Sequence, residues 1–188
     1  MPLGLPNFTI PSLTLITTIA LALIGYFVTY LNSLRLERQK AHLAFLGDQL
    51  HHLYGPLFSL NCASHNAWRD FRSRCRPGRA FFGIPSDEPT TEELSQWRLW
   101  MTEVFMPLNL QMEKIIVENA HLIEGSGMPE EFLDFLSHVE VYKVVMRRWV
   151  DRDFAQHTAY INFPDKFGPY VTRTYTDLKS EQARLLEK

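Results

Sequence analysis

Side chains able to do chemistry are few in this chain, and their spacing decides what each group could do. Ser59, Cys62, Ser64 and His65 fall within seven residues, and Cys62 and His65 are three apart, neighbours on a helix surface. A nucleophilic thiolate needs a lowered pKa in a partly exposed, electropositive setting. Arg69 and Arg72 lie close enough in sequence to supply one. The plainer role is a small apolar cysteine in a helix core. Glu118 and His121 have the i, i+3 spacing of di-iron carboxylate bundles, which need a second such pair and two further inward glutamates. The nearest second pair, Asp48 and His51, brings the wrong acid. His51 and His52 are adjacent and point to different faces, so they do not chelate together. Gly-x-Ser-x-Gly, His-Glu-x-x-His, the phosphate loop and the dinucleotide fingerprint are all missing from the sequence. The expectation is a protein with no catalytic residue, no metal site and no cofactor, and not an enzyme.

The sharpest charged feature is Arg69, Arg72, Arg74, Arg76 and Arg79, five arginines in eleven residues, opposed only by Asp70. Cations at a helix C-terminus offset its negative dipole, which makes a solvated helix end the plainest reading. As a basic interaction patch, the same group suits anionic lipid headgroups or an acidic protein face. The acidic runs Ser86–Glu93 and Glu124–Asp134 could form that face within one chain or between copies. The net charge of −2 gives no field that draws in nucleic acid.

These groups must be positioned by helices. Residues 1–34 contain no Asp, Glu, Lys, Arg or His. Within them Leu13–Leu31 is about the ~20 residues that cross a bilayer as a helix. No basic residue precedes the run, and it ends in aromatics rather than a small-x-small site, so it reads as an uncleaved anchor and not a signal peptide. Arg35, Arg38 and Lys40 come after it, which places the N-terminus outside and residues 35–188 in the cytoplasm. Thr14, Thr18, Ala22, Gly25 and Thr29 share one face of the span. Such small residues let helix backbones approach, so they form a candidate association face. Two cysteines, Cys62 and Cys75, make no disulfide framework and suit a reducing compartment.

Three- and four-residue apolar spacing continues the helix over 33–54 through Leu43, Leu46, Leu50 and Leu53. Gly55-Pro56 predicts a kink, because proline loses a donor and clashes with the carbonyl four residues back. Further helices are predicted at about 56–74, 92–121, 129–150 and 169–187. Thr90-Thr-Glu-Glu93 is a capping box for the second of these, and Pro107 predicts a kink or break near Met106. Its inner stripe reads Leu94, Trp97, Met101, Val104, Leu108, Met112 and Ile115. That of the next helix reads Phe132, Leu136, Val139, Lys143, Met146 and Val150. No alternating strand pattern occurs. The expected fold is all-α: a short external N-terminus (1–11), one transmembrane helix (12–32) and a cytoplasmic antiparallel helical bundle (33–188).

The segment Gln49-Leu-His-His-Leu-Tyr-Gly-Pro-Leu57, just after the span, resembles a Gln-Leu-x-x-Leu-Tyr-Gly-Pro-Leu pattern of an uncharacterised family of bacterial single-pass inner-membrane proteins. Trp97–Met101, Phe105–Asn109, His121–Ile123, Met128-Pro129 and Phe163-Pro164 resemble later blocks of that family. The resemblance implies a bacterial inner-membrane protein and carries no activity. The expected role is a membrane-anchored helical interaction protein, a scaffold or sensor, whose partners are the bilayer and either a second copy or another membrane protein. A membrane-perturbing effector, for instance in phage defence, and an enzyme with an unrecognised site are the alternatives.

Overall fold

The structure, a computed structural model, describes residues 9–84, 86–125 and 127–187, with side chains from Thr14 onward. The segment read as an external N-terminus lies mostly outside the described residues. Every regular element among the described residues is helical. The chain divides into two units, Met1–Ala44 and Phe45–Lys188.

The first unit is built on α1 (Thr9–Asp48). Its most apolar 18-residue window has a mean hydropathy of 1.9, and none of that window is buried. Leu15, Ile16, Leu21, Leu23, Ile24 and Phe27 are each more than half exposed. By length and composition this helix can cross a membrane. The hydroxyls of Thr18 and Thr29 donate to carbonyls of their own helix, at Thr14 (2.8 Å) and Gly25 (2.9 Å).

In the second unit, two prolines are accommodated in the same way. Helix α2 (Gly55–Cys75) is entered through a turn of π-helix, Gln49–Tyr54, and carries Pro56 in its first turn. Helix α3 (Thr91–Trp100) passes through a second π turn, Met101–Phe105, into α4 (Met106–Glu118), which carries Pro107 in its first turn. In each case the residue before the proline donates its N–H five residues back, Gly55 to Leu50 and Met106 to Met101. A proline cannot use the carbonyl four residues back and clashes with it. Widening one turn moves that carbonyl away at the cost of one inserted residue. Tyr54 (φ −75°, ψ −30°) and Gly55 (φ −66°, ψ −52°) remain right-handed helical, so the backbone does not break at Gly55-Pro56. A Cβ at Gly55 would overlap the Leu50 carbonyl oxygen.

The inserted residue also rotates the helix beyond it. After the second π turn the buried face is Phe105, Met106, Asn109, Met112 and Ile116. Of the stripe read from sequence, Trp97, Met101 and Met112 are buried as expected, while Val104, Leu108 and Ile115 are half-buried and their next neighbours Phe105, Asn109 and Ile116 take the inner places, because uninterrupted α spacing does not count the extra residue. In α5 (Glu130–Val150) the expected Phe132 and Val139 are buried and Leu136 and Met146 half-buried, but Val150 is 72% exposed, and Phe135, His138, Tyr142, Val145 and Trp149 are buried beside them. Here the sequence offers two apolar faces, and packing against α4 and α6 (Phe167–Leu186) selects the aromatic one.

Caps set the ends. Thr90 and Glu93 form both bonds of the capping box, Glu93 N to Thr90 Oγ1 at 3.2 Å and Thr90 N to Glu93 Oε2 at 2.7 Å. Helix α5 stops in a Schellman motif: Asp153 N donates to Arg148 O and Arg152 N to Trp149 O. Arg152 sits at φ 63°, the left-handed residue that motif requires.

Candidate functional site

A cavity of about 1070 Å³ lies wholly in the second unit. One wall is α2, presenting Asn61, Cys62, His65 and Trp68. On this face Trp68 packs edge-on against Trp97 and Phe105, centroids 5.9 Å apart in each case, while Leu57 and Phe71 are the fully buried residues of α2. The opposite wall combines Trp97, Met101, Phe105 and Asn109 with His138 and Tyr142 of α5. The start of α6 and the segment before it close the cavity with Ala159, Ile161, Phe163 and Gly168.

Residues 151–166 form no long helix, yet they are a cavity wall because side-chain donors hold their backbone. Trp97 Nε1 donates to the His157 carbonyl at 2.8 Å, and Tyr142 Oη to the same oxygen at 3.4 Å. Trp149 Nε1 donates to Gln156 O at 2.8 Å. His138 Nδ1 lies 2.7 Å from Ile161 O. The ring of Phe163 packs edge-on against His138, centroids 5.5 Å apart. These bonds satisfy backbone carbonyls of a segment that has no long helix of its own to pair them.

Electrostatically the buried part of the cavity is neutral. Burial holds the His138 imidazole below its ordinary pKa, against the pull of the Ile161 and Asn162 backbone. Burial also pushes the Tyr142 phenol up, so it stays protonated. Asn109 is 2% exposed, and its Oδ1 has no hydrogen-bond partner. The charged lining groups, Asp165, Arg173 and Asp177, are all exposed at the rim.

Cys62 and His65 both reach this cavity, but no hydrogen bond joins them among the described residues. The structure thus brings the sequence candidates to the right place without the nucleophile–base pairing that catalysis requires. Asn109, His138 and Tyr142 escaped the sequence reading. Asn109 comes after a π turn that α spacing does not anticipate, and His138 and Tyr142 lie on the unchosen face of α5. Among the described residues no group of three or more His, Cys, Asp or Glu could hold a metal.

The five arginines are not equivalent in their placement. Arg76 is 1% exposed and does not belong to any surface patch. Its Nη2 pairs with Asp87 Oδ1 (2.7 Å) and donates to Asp87 O (2.8 Å), its Nε lies 3.6 Å from Glu93 Oε1, and its guanidinium covers the Phe81 ring. It ties the loop after α2 to the start of α3. Arg79 also pairs with Asp87. Arg72 stacks on Trp68 and donates to the Arg79 carbonyl. Arg74 pairs with Asp70 at 3.0 Å, and Arg69 donates to Asn66 Oδ1 at 2.9 Å. Glu93 lies below the usual carboxylate range, chiefly through its Thr90 backbone bond and then through Arg76. The acidic run after the loop thus neutralises two of the five arginines within the chain.

No protein-family model, curated protein sequence or solved structure matches this chain.

Proposed function

We propose that this chain is a single-span membrane protein whose second unit is a ligand-responsive interaction module, a sensor or scaffold. The observation that carries the first half is the uncovered apolar window of α1: a surface of that hydropathy and exposure needs lipid or another span against it. The cavity of the second unit supports the other half, since a concave, mostly apolar site with a few convergent polar groups is the common form of a small-molecule site. We read the second unit as an antiparallel bundle, and Arg35, Arg38 and Lys40 as holding it in the cytoplasm. The resemblance of Gln49–Leu57 makes the bacterial inner membrane the expected bilayer.

Association through Thr14, Thr18, Ala22, Gly25 and Thr29 is part of the proposal, with one refinement. Because the Thr18 and Thr29 hydroxyls are used within their own helix, close backbone approach at Ala22 and Gly25 must carry it. Two measurements test the reading. The chain should resist carbonate extraction, and a tag after Lys188 should be protected in intact cells. Release by carbonate would remove the membrane assignment, and outside labelling of the tag would reverse the orientation.

A further inference from the structure

We infer that the cavity between α2, α4 and α5 is a binding site for a neutral, largely apolar small molecule that presents a hydroxyl or N–H donor to Asn109 Oδ1. This rests on the reading of the second unit as a ligand-binding module and names the chemistry of its ligand.

Three observations lead there. First, the volume of about 1070 Å³ matches sites that enclose a drug-sized molecule or an acyl chain. The walls it would touch are rings: Trp68, Trp97, Phe105 and Phe163. Second, Asn109 lines this cavity, is 2% exposed and leaves its side-chain oxygen without a partner. A buried acceptor left unpaired is unfavourable, and at a cavity wall a ligand donor can relieve that cost. The second π turn is what rotates Asn109 inward, so the fold invests a backbone irregularity in placing that oxygen. Third, the buried polar groups at the cavity are all uncharged. Asn109 is neutral by nature, His138 is held neutral by burial and occupied by Ile161, and Tyr142 is occupied by His157. The rim offers two acids and one arginine, which gives an anionic headgroup no net attraction. A carboxylate or phosphate would therefore enter the buried part without a counter-charge, whereas a hydroxyl needs none and gains an acceptor once a small turn of the amide uncovers the Asn109 oxygen.

Monooleoylglycerol is a probe of this class: an apolar chain with an uncharged hydroxyl head. The experiment uses the full chain purified in detergent, with native mass spectrometry counting bound molecules. One monooleoylglycerol per chain is expected. Oleate, with the same chain and a charged head, and methyl oleate, with no donor, should each bind at least ten-fold more weakly. Asn109→Leu should lower monooleoylglycerol affinity at least ten-fold while keeping the melting temperature of the parent chain. Equal or tighter binding of oleate or methyl oleate, or unchanged binding to Asn109→Leu, would overturn the assignment. Nile red, an uncharged apolar dye without a donor, separates the two levels of failure. Nile red bound without monooleoylglycerol would sink the ligand class and leave a ligand-binding cavity. Binding of neither would sink the module reading as well.

Discussion

The two π turns of the second unit use one device and reach different ends. Each precedes a proline, and each has a buried amide in it or just after it: Gln49 at 1% exposure and Asn109 at 2%. Gln49 Nε2 donates to the Leu122 carbonyl at 2.8 Å, which ties the first π turn to the short helix Ala120–Leu122. Its Oε1 lacks a partner, and Gln49 does not line the cavity of α2, α4 and α5. Asn109 Oδ1 also lacks a partner, and its residue lines the cavity of about 1070 Å³. An inserted residue therefore only turns a polar group inward. The surroundings that group meets there decide whether it is a strut or a contact waiting for an occupant.

The largest effects should come from the two residues that close these turns, Met106 and Gly55. Met106 is 3% exposed and part of the core, so Met106→Ala should cost about 2–5 kcal/mol, as core truncations do. At Gly55 the requirement is reversed, because any Cβ meets the Leu50 carbonyl. Gly55→Ala should destabilise by more than about 1 kcal/mol, where an unstrained helical site would gain stability. Denaturant midpoints of the full chain in detergent give both numbers. A stabilised Gly55→Ala would mean that the first turn is not built around that close approach.

Next in size is the strut itself. Gln49→Leu removes the donor to Leu122 and leaves a buried carbonyl unpaired, a loss of about 1–3 kcal/mol. A neutral result would show that the 2.8 Å bond is not holding the turn.

Much of this framework is legible in the residues. The helical character, the apolar run, the Thr90 capping box and the helix start beside Pro129, which is the cap before Glu130, come from local patterns that tertiary packing does not alter. The cavity does not. Its wall over 151–166 depends on carbonyls held by Trp97, His138, Tyr142 and Trp149, contacts between residues as far as 60 apart. Asn109 is hidden for a sharper reason. Local spacing places Leu108 inside, and only the extra residue of the π turn moves Asn109 there. Arg76 shows the same limit: five clustered arginines look alike in sequence, and burial distinguishes the one that serves as an internal clamp.

Acid should separate the two regions more gently. His138 and His157 are both held below the ordinary histidine pKa of about 6.5, His138 by burial and His157 by burial and then Arg98. Below that pH the unfolded chain takes up protons that the folded chain resists. Their contribution is therefore complete above about 6.5 and is lost as pH falls through the lower folded values. Both histidines serve the 151–166 wall. Hydrogen exchange there should accelerate between about pH 7.5 and 5.5, relative to a reference peptide corrected for intrinsic rate, while Gln49–Tyr54 stays protected. Uniform acceleration of both regions would mean the histidines couple to global unfolding instead.

The smallest shift in stability is the most discriminating. Asn109→Leu removes a buried amide oxygen that has no partner, so it removes a desolvation cost and no bond made by that oxygen. Leucine is close to asparagine in size and apolar like its neighbours Phe105, Met106 and Met112. Stability should therefore change by less than about 1 kcal/mol, in the direction of greater stability, where Gln49→Leu loses stability. Added monooleoylglycerol should then raise the melting temperature of the parent chain by mass action and leave Asn109→Leu almost unmoved. If Asn109→Leu instead lost as much stability as Gln49→Leu, a retained water or an internal donor would be bonded to that oxygen. The two amides would then both be struts, and the second π turn would have no more to do with a ligand than the first.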